Sequence, residues 1–121
     1  MTSLFLLGQI VLGVYFIQAG IMHFMKLPMM TGYATSRKLP APKLAVVVSG
    51  LVLLAGGLGV LFQYQLAWAY GVLAVFLALA ALLMHNFWVD QDPSMKMGNM
   101  VNFQKNLALA GALFMLLALQ G

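Results

Sequence analysis

Two stretches decide the fold: Leu44–Phe62, LAVVVSGLVLLAGGLGVLF, and, after Gln63-Tyr64-Gln65, Leu66–His85, LAWAYGVLAVFLALAALLMH. Neither holds a Lys, Arg, Asp or Glu. Each is about 20 residues long, enough for a helix to cross a hydrocarbon core about 30 Å thick. In lipid the backbone must hydrogen-bond within its own segment, which selects helices; the alternation of a barrel strand is absent. The short polar turn joins the two into a helical hairpin. Upstream, Ser3–Phe24 is a third such run, interrupted only by Gln9 and Gln18. No basic residue precedes it and it outruns a usual signal core, so it is expected to be retained as a span. Downstream, Asn106–Leu119 is too short alone and is extended back to Val101. The expected fold is an all-α integral membrane protein: one domain over residues 1–121, a four-transmembrane-helix bundle with spans 3–24, 44–62, 66–85 and 101–119.

Composition agrees. Of 121 residues, 64% are hydrophobic and 7% charged, against about 25% charged in a soluble domain. Lipid must therefore be the solvent for much of the surface. Cysteine is absent, which excludes thiol redox chemistry, thiolate-bound zinc and ordinary iron–sulfur ligation. The net charge of +4 forms no dense basic stripe, so nucleic acid is not an expected partner. It reads instead as a topology signal. Lys26, Arg37, Lys38 and Lys43 fall between the first two spans, and Lys96 and Lys105, with Asp90 and Asp92, at the junction of the third and fourth. The N-terminal segment, the Gln63-Tyr64-Gln65 turn and Gln120-Gly121 carry no Lys or Arg. The positive-inside rule then predicts a multi-pass protein of the inner (plasma) membrane, with loops 25–43 and 86–100 cytoplasmic and both termini outside.

Helices in a bilayer associate by close packing through small residues. Gly13 and Gly20 lie seven apart in the first span, as do Gly50 and Gly57 in the second. Ala67, Gly71, Ala74, Ala78, Ala81 and His85 recur at helical spacing in the third. These seams predict a left-handed bundle. Met22-His23-Phe24 and Met84-His85-Asn86-Phe87 end alternate spans, and Leu54-Ala55-Gly56-Gly57-Leu58 is matched by Leu109-Ala110-Gly111-Ala112-Leu113. The pattern is that of a weak parallel two-helix internal repeat, of a kind that apolar helices also reach by chance.

Residues capable of chemistry gather at one membrane face. His23 and Lys26 close the first span; His85, Asn86, Trp88, Asp90 and Asp92 close the third; Asn102, Gln104, Lys105 and Asn106 open the fourth. Loop one adds Tyr33, Arg37 and Lys38 before Pro40 and Pro42 stiffen its approach to the second span. Many of these have ordinary roles. Trp68, Tyr70 and Trp88 suit interface anchors, Lys26, Lys43 and Lys105 suit topology and snorkelling, and the methionines suit packing. Gln9 and Gln18 face opposite sides of their helix, and interhelical hydrogen bonding accounts for them. The functional reading rests on shared depth: His23, His85, Asn86, Trp88 and Asn106 would together hold a quinone head group, with His and Asn as donors, Trp88 as cover and the bundle wall around the tail. No metal site is expected.

Gly13-x-x-Phe16-Ile17-x-x-Gly20-Ile21-x-His23-Phe24 resembles the first-helix pattern of the DoxX family of small bacterial and archaeal membrane proteins. Gly50-Leu51-Val52-Leu53-Leu54-Ala55-Gly56-Gly57 is similar to that family's second helix. His85-x-Phe87-Trp88 followed by Lys105-Asn106-Leu107-Ala108-Leu109-Ala110-Gly111 resembles a DoxX-like subgroup. The resemblance runs over nearly the whole chain and implies a four-helix inner-membrane subunit. Members are associated with thiosulfate:quinone oxidoreductase and with a mycobacterial membrane complex holding a superoxide dismutase and a thiosulfate sulfurtransferase.

The expected function is thus an accessory or quinone-associated component of a membrane redox system. Its partners would be the lipid bilayer and other membrane or membrane-associated redox proteins, or a second copy. A structural or assembly protein with no cofactor is the alternative. A small transporter is less favoured, because both acids lie outside the spans, whereas proton-coupled export needs an ionisable group at depth. Haem held by His23 and His85 is disfavoured because span ends leave little protein to cover a porphyrin. An autonomous enzyme is not expected: no nucleophile has a base, and Gly56-Gly57-x-Gly59 lies inside an apolar span.

Overall fold

The computed structural model describes residues 2–120. In chain order it has α1 (Thr2–Met25), α2 (Leu27–Ser36), α3 (Pro42–Leu61), α4 (Leu66–Met84), a 3-10 turn at Phe87–Val89, and α5 (Pro93–Ala118), with no strand among the described residues. Four segments are long and apolar enough to cross a membrane: Ser3–Met25, Pro42–Leu61, Leu66–Val89 and Pro93–Ala118. The protein is an all-helical membrane bundle.

Two local features differ from the expected spans. Residues 27–36, read as loop, form α2. Pro28 interrupts the hydrogen-bond ladder of α1 and starts a new helix at a position where its missing N–H is not needed. Helix α2 ends at Arg37. Lys38 then adopts a left-handed conformation (φ 62°), and Leu39 N–H and Lys38 N–H donate to the carbonyls of Ala34 and Thr35, the six-to-one closure of a helix C-terminus. The fourth span begins at Pro93, not Val101. Pro93 occupies the first turn, and the Asp92 carboxylate accepts from Met95 N–H at 3.1 Å, a proline start with an acidic N-cap. Asn102, Gln104, Lys105 and Asn106 hold the mean hydropathy of its best window to 1.3, against 2.5 for α3, and Lys96 and Asn99 ahead of that window hide its start from a search for apolar runs.

The glycine seams of α1 and α3 face each other. A β-carbon at Gly13 would lie 2.8 Å from Leu61 Cβ, one at Gly57 2.8 Å from the Ile17 backbone nitrogen, one at Gly20 2.9 Å from the Leu54 nitrogen, and one at Gly50 2.8 Å from the Phe24 ring. The order of these pairings makes the helices antiparallel and in contact along most of their length. The third seam is not used in the same way. Helix α4 buries Tyr70, Leu73, Ala74, Leu77 and Ala81, while Ala67 is exposed and a β-carbon at Gly71 would meet only Leu117, at 3.6 Å. Its large side chains fill the middle of the bundle: Leu73 packs over Gly56 of α3, and Tyr70, 1% exposed, joins Phe16, Leu53, Val60, Ala110 and Leu113 in the core. Tyr70 is therefore a core residue and not an interface anchor, whereas Trp68 is 72% exposed. Backbone packing runs α1 to α3, α3 to α4 and α4 to α5. Helices α1 and α5 lack such close backbone approach, though Phe16 of one and Ala110 and Leu113 of the other join the same core cluster.

Candidate functional site

The end of the bundle where the basic residues gather carries a connected polar cluster. Tyr33 and Arg37 lie four apart on α2 and so share one face; the guanidinium sits 5.6 Å from the centre of the Tyr33 ring. Arg37 crosses to the segment joining α4 and α5. Its Nη1 donates to Asp90 Oδ1 at 2.6 Å and its Nη2 to Asn86 Oδ1 at 2.5 Å. The Arg37 and Asp90 side chains are 6% and 4% exposed, so water screens the pair little. Asn99, 5% exposed on α5, completes the cluster. Its Nδ2 donates to Asp90 Oδ2 at 2.9 Å, and its Oδ1 accepts from the Tyr33 hydroxyl at 2.6 Å. The same hydroxyl lies 2.9 Å from the Met84 carbonyl, which leaves its single proton shared between two acceptors. Arg37 above all, and then Asn99, hold the Asp90 carboxyl below its ordinary 3.8 by hydrogen bonding to its charged form. Two buried polar atoms nearby, Arg37 Nε and Thr31 Oγ1, have no partner.

The network fixes the state of His85. Asp90 can only accept, so Asn99 must turn its NH2 toward it and its oxygen toward His85. His85 Nδ1, 3.1 Å from that oxygen, therefore carries the proton and donates. In the neutral ring Nε2 is left as an acceptor, and it has no hydrogen-bond partner among the described residues. Asn86 is oriented by the same logic: its Oδ1 faces Arg37, and its NH2 donors are unused.

Of the five expected site residues, His85 and Asn86 belong to the polar cluster, and His23, Trp88 and Asn106 make no hydrogen bond to it among the described residues. His23 Nδ1 donates to Ala19 O at 2.8 Å in its own helix, and its β-carbon lies against Gly50 of α3. Among the described residues no hydrogen bond or ring contact joins His23 to His85. Trp88, 53% exposed, stands edge-on to Phe87 and Phe103, with centroids 5.4 and 5.6 Å away, in a satellite aromatic cluster. Asn106 is 6% exposed, two turns along α5 from Asn99 on the same face. Sequence reading had left Asn99 unnamed, although Asp92-Pro93 signals a helix start that would have put Asn99 and Asn106 on one buried stripe. Arg37 and Asp90, read as topology and loop residues, are 53 positions apart, and no local pattern couples them.

Four spanning helices clamped at one end by a buried ion pair define a small multi-pass helical membrane protein. The family model DoxX matches residues 4–86, from the first turn of α1 to the residue before the 3-10 turn, and the chain belongs to the DoxX family. No curated protein and no solved structure matches it. Tyr33, Arg37, His85 and Asn86 lie inside the matched segment, and Asp90 and Asn99 beyond it.

Proposed function

We propose that this chain is a non-catalytic accessory subunit of a membrane redox system that holds a quinone head group at the basic end of the bundle. One observation carries the reading: beside the Arg37–Asp90 pair, His85 Nε2 and the Asn86 NH2 are unused among the described residues. A quinol hydroxyl could donate to Nε2, and the amide could donate to a quinone oxygen, so these residues fit the group without His23 or Trp88. A bound quinone would supply hydrogen-transfer chemistry. The chain's part would be to orient the head and to take up a proton at Nε2 of a ring whose tautomer Asn99 sets. Protein purified with native lipids should yield more quinone than an unrelated four-helix protein, and H85A should lose the excess while melting normally. Equal quinone from both proteins, or excess retained by H85A, rejects the reading.

The Arg37–Asp90 clamp favours a second reading, an assembly subunit without cofactor, because it stiffens the end most exposed to a membrane-associated partner. A stable crosslinked neighbour in membranes, with no quinone enrichment, would support it. Either reading places the protein in the inner (plasma) membrane with the clamp cytoplasmic. The chain lacks cysteine, so K38C and Y64C provide single labelling sites free of background. Reagents confined to the outside should modify the second alone, and labelling of both would reject the topology.

A further inference from the structure

At the other end of the bundle, an apolar groove of about 590 Å³ opens along the α1–α5 border, between Leu4, Leu7 and Val11 on one wall and Leu116 on the other, with Tyr70 and Gln9 also lining it. The volume falls in the range of small-molecule sites, about 300–1,000 Å³. Gln9 is 3% exposed, and both its Oε1 and its Nε2 are buried without a hydrogen-bond partner. The Tyr70 hydroxyl approaches Gln9 but does not reach hydrogen-bond geometry. A buried carboxamide unpaired at both atoms, in a segment with no water to solvate it, is among the costlier arrangements a membrane helix can hold. Interhelical hydrogen bonding, the expected role of Gln9, is not met at hydrogen-bond geometry among the described residues.

We infer that this groove is a binding site for the neutral, protonated form of a long-chain fatty acid, whose carboxyl group pairs with the Gln9 amide once that side chain turns from its buried position into the groove. The two orphan atoms set the chemistry. Oε1 needs a donor and Nε2 an acceptor, side by side in one plane. A carboxylic acid presents an O–H and a C=O in that arrangement and closes a ring of two hydrogen bonds; an ester or ether offers acceptors only, and a ketone one acceptor. The walls then take the acyl chain, and the open helix border lets it enter sideways from lipid. The acid binds neutral because no Lys or Arg lines the groove. The same absence disfavours a phosphate-bearing head group. The inference is independent of the quinone reading, which concerns His85 and Asn86.

The full chain, delipidated in detergent, would be titrated with oleic acid, methyl oleate and decylubiquinone and read by native mass spectrometry. Oleic acid should bind about tenfold tighter than methyl oleate, the effect of two hydrogen bonds replaced by at most one. Q9L should erase that preference while melting no lower than the parent. L116W, which fills the groove and leaves Gln9 intact, should weaken oleic acid by a similar factor. Equal affinity for acid and ester, a preference retained in Q9L, or a Gln9-dependent preference for decylubiquinone would each overturn the assignment. So would equal, non-additive destabilisation by Q9L and Y70F, which would show that the two side chains satisfy each other.

Discussion

Asn99 and Gln9 are both carboxamides, both buried beyond nine-tenths, and both on spanning helices; yet Asn99 engages Tyr33, His85 and Asp90, while Gln9 engages nothing. The difference follows from what surrounds each. Near Asn99, α2 and the 3-10 turn bring in side chains that are not bound by the rules of the hydrocarbon core, and an arginine can arrive with its counter-ion. Near Gln9 the Tyr70 hydroxyl is the one polar side chain described, short of hydrogen-bond geometry, and the backbone groups there are already used within their own helices. A buried amide at the basic end is a structural joint; the same group at the far end is an open valence.

That contrast can be broken most forcefully at Arg37. R37A removes the partner of a desolvated carboxylate and leaves Asn86 unpaired, and should be the most destabilising single change at this end, read as the largest loss of melting temperature in detergent. Its pH behaviour sharpens the point. Because the Asp90 carboxyl is held below its ordinary 3.8, the pair contributes fully at neutral pH, and its contribution is lost only as pH falls through the depressed value. The parent should therefore lose stability in strong acid, and R37A should show a weaker decline over the same range. Next, N99A strips His85 Nδ1 of its partner, while the Tyr33 hydroxyl keeps the Met84 carbonyl and Asp90 keeps Arg37, for a loss on the order of 1–2 kcal/mol by denaturant titration. Q9L should move the other way, stabilising the ligand-free protein by about 1–3 kcal/mol as an unpaired polar group is removed; a loss of that size would erase the contrast between the two ends. Smallest, D92A removes only the cap of α5 and should cost about 1 kcal/mol, with faster amide exchange confined to residues near Met95.

The fold was legible because hydrocarbon demands long apolar runs, and Leu44–Phe62 and Leu66–His85 supply them without interruption. The glycine spacing in α1 and α3 was legible too, since close approach requires it. In α4 the same logic held in part: Ala74 and Ala81 of the alanine stripe are buried, but Ala67 is exposed and Leu73 and Tyr70 fill the centre beside them. Helix α2 was missed because ten residues are too few to register as a span and it has no side-chain cap, and the start of α5 because it lies in polar sequence where hydropathy is silent and the Asp92 cap is the only signal. The candidate site was half legible. His85 and Asn86 were named for their depth at the membrane edge, but what sets their hydrogen-bonding state comes from Arg37 and Asn99, and only the folded chain brings these together. His23 shows the converse: its flanking residues mirror those of His85, yet its ring turns to Ala19 of its own helix, because it faces α3 and has no polar neighbour to turn to.

Glycine-to-side-chain interlocking from Gly13–Leu61 to Phe24–Gly50 makes α1 and α3 one plank, and α5 leans on α4 as another. The Gln63-Tyr64-Gln65 turn ties the planks together at one edge, like the spine of a book. Tyr33 and Arg37 fasten the planks again at the opposite end, to Met84, Asn86, Asp90 and Asn99, so the two are stapled top and bottom, while no hydrogen bond among the described residues stitches the long margin between first and last helix.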